Sequence, residues 1–426
     1  MGLGGIDFTT GLLYSEINTS SIAIFGTASN LPPPKKMLKR FPFCVILFCL
    51  TVAVSAEETI RFKMHRIDTA RMEACGVADF NNDGKLDIVA GEFIYLAPDW
   101  KAVKIREIAG DVDEQGKGYA HDFANLPMDV DEDGFMDVIA VDWFSKKSVW
   151  CRNPGKDFQD GKFWEEHLIE LNGNFECADF YDVTGNGQED QILPAVRHTV
   201  WYEKTAPGKF AVHVVSEKNL TFGGGVGDIN GDGRPDILRP DVWFEAPVDI
   251  RNGVWKEHPL NLFADEPEMT NKDTAQLYAL DVNKDGLPDI IASAAHDYGL
   301  FWYEQLRNGD GISWKKHVID KSWSQVHAVM LADLDGDGEF EIIAGKRFMA
   351  HNGSDRGEYE PLGIYYYKAK RNGTEVIWER HVVTYDEGIG AGMNIVVVDL
   401  NGDGHLDIVT TGKYGGPVWF ENLKND

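Results

Sequence analysis

Residues 79–89 read DFNNDGKLDIV, an acidic loop punctuated by one glycine and followed at once by an aliphatic run. The phrase returns at Asp129 (DVDEDGFMDVI), Asp182 (DVTGNGQEDQI), Asp228 (DINGDGRPDIL), Asp281 (DVNKDGLPDII), Asp333 (DLDGDGEFEII) and Asp399 (DLNGDGHLDIV). The starts lie 50, 53, 46, 53, 52 and 66 residues apart. A repeat of this length that holds several short strands predicts an all-β, seven-bladed β-propeller of four-stranded blades.

The loop has the chemistry of a cation cage. Positions 1, 3, 5 and 9 carry oxygen donors: Asp79, Asn81, Asp83 and Asp87 in the first copy, and Asp129, Asp131, Asp133 and Asp137 in the second. The fourth to seventh copies offer Asp228, Asn230, Asp232 and Asp236; Asp281, Asn283, Asp285 and Asp289; Asp333, Asp335, Asp337 and Glu341; and Asp399, Asn401, Asp403 and Asp407. Calcium takes six to eight such oxygens, and glycine at position 6 permits the turn that gathers them. The third copy is the weakest, with Asp182, Asn186 and Asp190 but Thr184 at position 3. An EF-hand opens in the same way, but these loops lack its position-12 glutamate and flanking helical period. The runs that follow are Ile-Val, Val-Ile or Ile-Ile, which is strand composition. The loops are therefore expected to be structural Ca²⁺ staples rather than catalytic metal sites.

The net charge of −28 fits this reading, because seven bound Ca²⁺ would cancel half of it. Such an acidic balance excludes nucleic acid and anionic membranes as partners. Residues 37–56 have the form of a signal peptide: Lys39 and Arg40, an apolar run from Phe41 to Val54, then Val54-Ser55-Ala56 before Glu57. The run is too short for a membrane-spanning helix, so a secreted or periplasmic protein without an integral membrane segment is expected once the signal is removed. Residues 1–36 precede this signal and read as an over-extended, disordered gene start, which leaves 57–426 for the propeller. Cys44 and Cys49 fall in the signal, and Cys75, Cys151 and Cys177 are too few and scattered for a disulfide framework.

Each repeat divides into strand A, which runs into the loop, strand B, which leaves it, an aromatic strand C such as Val242-Trp243-Phe244-Glu245, and strand D. Strand D carries an aromatic residue, a histidine three later and an aliphatic two after that, as in Trp255/His258/Leu260 and Trp314/His317/Ile319. This pattern occurs before the first loop, at Phe62/His65/Ile67, whereas the last repeat stops after strand C at Asn422. The N-terminal strand is therefore expected to complete the seventh blade, which closes the ring and hides the sheet edges.

Six of the twelve histidines (His65, His167, His213, His258, His317, His381) belong to this strand D repeat and are architectural, with hydrogen bonds expected between blades. His405 sits in a loop at a non-ligand position. The remaining five map to one end of the blades, opposite the acidic loops. His121 and His327 precede strand A, and His198, His296 and His351 follow strand B. Six positions before the loop, strand A places Glu73, Glu176 and His327 toward the channel, where other blades offer Phe, Ala or Met. The long insertions 110–125, 264–275 and 347–363 fall at the same end, and loops on a rigid scaffold are where function usually sits.

The repeats resemble the VCBS/FG-GAP family of calcium-binding propellers over residues 57–426. More narrowly, HDYGLFWYE (296–304), HNGSDRGEYEPLGIYYY (351–367) and GKYGGPVWFEN (412–422) resemble the propeller domain of aldos-2-ulose dehydratase and its bacterial relatives. The resemblance implies sugar binding, and elimination chemistry, on the propeller face. That family joins its propeller to cupin domains, whose pattern is absent from these residues.

Two functions follow as expectations. The first is a sugar dehydratase or lyase, in which a base removes a proton next to a carbonyl and cations steady the enolate. Here His121, His198, His296 and His351 are the candidate ligands of substrate or of a second metal such as Zn²⁺. His327 or Tyr298 would transfer the proton, Lys346, Arg347 and Arg356 would hold anionic charge, and the Asp-Arg-Gly-Glu-Tyr-Glu stretch at 355–360 would act as a lid. The alternative is a non-catalytic module that binds glycans or a protein partner through exposed Trp and Tyr. No Ser-His-Asp signature, phosphate loop, CxxC pair or basic patch is visible.

Overall fold

The computed structural model describes residues 59–158, 162–171, 173–309 and 311–423. The upstream stretch 1–36 and the signal segment lie outside the described residues. Seven four-stranded antiparallel sheets follow one another along the chain. Blade 1 comprises Cys75–Ala78, Asp87–Ala90, Phe93–Leu96 and Lys101–Lys104. Blade 2 begins at Ala124–Met128, blade 3 at Cys177–Tyr181, blade 4 at Gly225–Gly227, blade 5 at Tyr278–Leu280, blade 6 at Val326–Ala332 and blade 7 at Ile395–Val398. These first strands pack against one another from blade to blade, so strand A lines the axis. A 3₁₀ turn at Gly155–Asp157 is the one helical element among the described residues. No helix of the described residues is long and apolar enough to cross a membrane.

Ring closure takes the form the sequence predicts. Phe62–Ala70 pairs antiparallel with Gly416–Asn422, setting Phe62 opposite Asn422 and His65 opposite Trp419. The first strand of the chain thereby becomes the fourth strand of blade 7.

The strand D histidines are bonded within blades rather than between them, contrary to expectation. Each lies opposite the aromatic residue of its own strand C and stacks on it, with ring centroids 4.0 Å apart for Trp201/His213 and Trp243/His258 and 4.6 Å for Tyr366/His381. The strand C glutamate two residues after the tryptophan then pairs with the same histidine: His258 Nε2 lies 2.7 Å from Glu245, and His317 Nε2 2.7 Å from Glu304. The period of two places both partners on one face of strand C, so the antiparallel register alone assembles the triad.

The acidic loops are ordered by their own carboxylates. In blade 4, Asp228 accepts the N–H groups of Asp232 (3.0 Å) and Gly233 (2.8 Å), and the same pair of bonds recurs in all seven loops. The position-6 glycines have φ near +85° and open space around them, so positive φ rather than crowding demands glycine. The position-9 acid is buried and accepts the position-2 N–H, as Asp236 does from Ile229 at 2.9 Å. Blade 3 departs from this. Gln191 takes the position-9 role, accepting Val183 N–H at 2.8 Å, and Asp190 is left exposed, which corrects its assignment to the cage. One extra residue in that turn shifts the register past the acid.

Candidate functional site

The axial position six residues before each loop carries Glu73, Phe123, Glu176, Phe222, Ala275, His327 and Met393, one from each blade, all buried. The polar three come from blades 1, 3 and 6 and converge across the channel. His327 Nε2 lies 3.3 Å from Glu176 Oε1, although the residues are 151 apart in sequence.

Arg347, at the end of strand B of blade 6, ties them together. Its Nε donates to Glu73 Oε1 at 2.8 Å, its Nη1 donates to His327 Nε2 at 2.9 Å, and the same nitrogen lies 3.6 Å from Glu176 Oε1. A guanidinium donating to Nε2 occupies the lone pair of His327. Burial and the charge of Arg347 together push His327 down to about 4, so it is neutral at pH 7. Burial would raise Glu73, but Arg347 and Lys413 outweigh it and hold its carboxyl below the usual range. Lys413 is itself buried, which lowers it to about 8, and its ammonium lies 3.8 Å from the Tyr119 ring centroid.

His296 and His351 form the second half of the cluster. Their rings stack at 4.3 Å, and both Nδ1 atoms point at one oxygen, Asp355 Oδ2, from 3.1 and 2.8 Å. Burial pulls His296 down, but Asp355 and Glu176 overcome it and raise the imidazole to about 9, so it carries charge. The buried carboxylate of Glu358 accepts the backbone N–H of His351 (2.6 Å) and of Asp355 (3.1 Å), which fixes the turn bearing both. With Nδ1 committed to Asp355, Nε2 of the half-exposed His351 is the nitrogen available to a ligand.

Glu176, Arg347 and His351 border a chamber of about 420 Å³, and the buried His296 and His327 stand behind them. Tyr119, Phe123, Trp143, Phe144 and Phe222 supply apolar walls, and Glu176, Arg197, Asp273, Arg347 and His351 supply polar ones. The 110–125 insertion forms a hairpin, Gly110–Val112 with Gly118–Ala120, that reaches the insertion of blade 6. There Tyr119 donates to Ala350 O at 2.8 Å and Gly118 N–H to Asn352 Oδ1 at 2.9 Å.

Of the residues singled out by sequence, the structure brings together His296, His327, Arg347 and His351. His121 stacks on Phe144, a chamber wall, at 4.3 Å and faces Asp142, so it stands one side chain behind. His198 lies 3.8 Å from Glu170 and is not a chamber wall. Tyr298, Lys346 and Arg356 fasten the 347–363 insertion instead of facing the chamber. Lys346 donates to Ser324 Oγ (2.6 Å) and Gly357 O (2.8 Å), Tyr298 bonds Glu360, and Arg356 pairs with Asp297 at 3.0 Å. Gly357 has φ +76°, and a Cβ there would meet Ser324 Oγ at 2.2 Å. So fastened, the insertion forms a wall of the site through Arg347, Ala350 and His351. Sequence reasoning missed Trp143, Phe144 and Asp273. The first two follow strand B of blade 2 and would have emerged had the end-of-strand rule been applied to aromatics as well as histidines.

Two sets of side chains on this face have metal-binding spacing, Glu176/His296/His327 and His296/His351/Asp355. The first does not fit a metal, because the Arg347 guanidinium already lies against His327 Nε2 and Glu176. The second contains no arginine or lysine, but a metal there would have to displace the proton that His296 shares with Asp355. In the loops, Asp129/Asp131/Asp137 and Asp333/Asp335/Glu341 bring carboxylate oxygens within 4.8 Å of one another.

A family model described as an FG-GAP-like repeat matches residues 281–344, the fifth loop through strand B of blade 6. No curated protein matches the chain in sequence. Among solved structures, an Agrocybe aegerita lectin described as recognising non-reducing terminal N-acetylglucosamine is 17% identical with a TM-score of 0.46, over 84% of this chain and 87% of that one. A Bacillus licheniformis rhamnogalacturonan lyase is 13% identical with a TM-score of 0.43, over 86% and 73%. A Staphylococcus aureus virginiamycin B lyase is 11% identical with a TM-score of 0.43, over 84% and 98%. These likenesses are of fold alone.

Proposed function

We propose that the chain is a secreted, calcium-stabilised propeller that binds a sugar in the chamber opposite the acidic loops and acts on it as a carbon–oxygen lyase of the dehydratase kind. One observation carries this reading: an Asp-oriented histidine and a buried arginine, His351 and Arg347, border a single chamber with aromatic walls. The walls suit the apolar face of a pyranose. His351 Nε2, with Nδ1 held by Asp355, is the base that takes the proton next to a carbonyl. Arg347, a wall of the chamber, favours the enolate oxygen that forms, and the charged His296 behind His351 adds to the positive field. The β C–O bond then breaks, and the imidazolium of His351 gives its proton to the departing oxygen, releasing water or an alcohol and leaving an unsaturated sugar. The proton-transfer role thus moves from His327 and Tyr298 to His351, because Arg347 blocks the lone pair of His327 and Tyr298 serves the clamp. In an alternative form with the protons between the imidazoles and Asp355 displaced, His296, His351 and Asp355 would hold a Zn²⁺-like metal that would supply Lewis acidity in place of the His296 charge. Ca²⁺ suits the carboxylate and amide oxygens of the loops and the charge they concentrate.

The test is to pair a glycan array with an ultraviolet assay for unsaturated sugar, using the intact protein and His351→Ala. The expected result is sugar binding with a rise in absorbance that the variant loses. Binding with no new absorbance from the intact protein favours the glycan- or protein-binding module instead. Sugar binding untouched by chamber substitutions refutes the chamber as the site.

A further inference from the structure

The seven repeats allow a comparison within the chain. The strand C residue two after the stacking position is Leu96, Arg152, Glu203, Glu245, Glu304, Lys368 and Glu421 in blades 1 to 7, and in blades 2, 5 and 6 it meets position 3 of its own acidic loop. In blade 5, Asn283 Nδ2 lies 3.4 Å from Glu304 Oε1. The two positions change together. Where strand C carries glutamate, position 3 is uncharged: Thr184, Asn230, Asn283 and Asn401. Where strand C carries Leu96, position 3 is Asn81. Position 3 is aspartate in two blades, at Asp131 and Asp335, and these are the blades with Arg152 and Lys368.

The contacts match the pattern. Arg152 bonds Asp131 through Nε and Asp133 through Nη2, the latter at 3.0 Å. Lys368 bonds Asp335 and lies 3.4 Å from Asp337. Each cation therefore sits on the position-3 and position-5 carboxylates, the oxygens a calcium ion needs. In blades 3, 4, 5 and 7 the strand C glutamate is turned instead to its strand D histidine, at 3.0, 2.7, 2.7 and 2.7 Å.

We infer that the acidic loops of blades 2 and 6, where a strand C cation holds both the position-3 and the position-5 carboxylates, take calcium far more weakly than those of blades 5 and 7. In blade 4, Arg234 of the loop itself bonds the position-5 acid Asp232. The inference rests on the calcium reading of the loops given above. A calcium ion entering loop 2 must displace two charge-assisted hydrogen bonds and then share the cage with a cation. This lowers affinity by roughly tenfold to a hundredfold. The two loops with aspartate at position 3 are thus the ones least in need of a metal.

The test is a calcium titration by calorimetry on the full chain, comparing the intact protein with Arg152→Gln, Lys368→Gln and the double variant. Each single variant is expected to bind one more Ca²⁺ than the intact protein over the range in which its strong sites fill, and the double variant two more. In chelator the variants should melt below the intact protein, whereas Arg152→Lys keeps its stoichiometry and melting temperature. Unchanged stoichiometry in Arg152→Gln and Lys368→Gln, with calcium bound by the intact protein, overturns this inference and leaves the calcium reading standing. No calcium bound by any of the proteins at millimolar concentration overturns both.

Discussion

Replacing Arg347 by methionine tests whether the axial cluster is an electrostatic unit or a set of independent side chains. The guanidinium is 2% exposed and bridges Glu73, which has no exposed surface, to His327 and Glu176. Methionine fills similar volume but leaves Glu73 with Lys413 as its nearest cation, 3.9 Å away. Breaking a buried pair in this way costs about 3–5 kcal/mol, because a charge is left without its partner. Unfolding entropy near ~2.1 cal/mol/K per residue, over a ring of about 360 residues, converts that into a fall of roughly 4–7 °C in melting temperature.

The pH dependence gives the sharper reading. In the intact protein Arg347 and Lys413 overcome burial and hold Glu73 below its ordinary value, so its contribution is present above the unfolded pKa and lost as pH falls. Without Arg347, burial dominates and the carboxyl is raised. Its contribution is then present at low pH and lost as pH rises. The stability gap between variant and intact protein should therefore widen from pH 4 to pH 7. Adding Glu73→Gln to Arg347→Met removes the stranded charge and should recover at least half of the loss. Calorimetry across this range decides the matter. A loss below about 1 kcal/mol at pH 7, or no recovery in the double variant, refutes the cluster as described.

Three further outcomes follow from the same geometry. His351→Ala should lower the turnover of an eliminated sugar by about 10²- to 10⁴-fold with KM little changed, and should leave the melting temperature nearly alone because the ring is half exposed; steady-state kinetics and calorimetry check both. In chelator the six buried position-9 acids, raised by burial to about 6 for Asp87, Asp289 and Asp407 and to about 7 for Asp137, Asp236 and Glu341, favour folding while protonated, so stability should fall between pH 5 and pH 8. Saturating Ca²⁺ should abolish or reverse that slope in melts at the two pH values. Gly357→Ala, whose Cβ would meet Ser324 Oγ and whose φ is positive, should cost more than about 1 kcal/mol and weaken sugar binding by loosening the turn that carries His351; calorimetry against a bound sugar reads both effects.

The ring was legible because it is written seven times. Strand order, the acidic turn and ring closure through Phe62–Ala70 all follow from spacing and alternation, which are local properties of the chain. Glu73, Glu176 and His327 were legible as departures from the repeat at one axial position. The role of Arg347 as the bridge was not, because it depends on a side chain reaching between blades across the channel. The anchoring of the 347–363 insertion was hidden for a related reason. Its length and its end of the blade were plain, yet Lys346, Tyr298 and Arg356 fasten it through contacts that no periodicity encodes. In blade 3, a one-residue shift puts Gln191 where the motif puts Asp190, which shows how far a repeat can be trusted at its weakest copy.

The placement of charge around the axis also constrains how the chamber can work. Arg347 is bonded to Glu73 and Arg197 lies 3.8 Å from Asp273, so the cations of the chamber are answered by acids already in place, as is His296 behind them by Asp355. A ligand entering it meets little uncompensated charge, which favours a neutral, hydroxyl-rich molecule over a polyanion. The apolar walls are provided by different blades and by the hairpin that meets the blade 6 insertion, so they are set by the ring and not by the ligand. Charge that develops during an elimination would therefore find its partners oriented beforehand. Arg347 gains most from this arrangement, since Glu73 and His327 fix its direction before any substrate arrives.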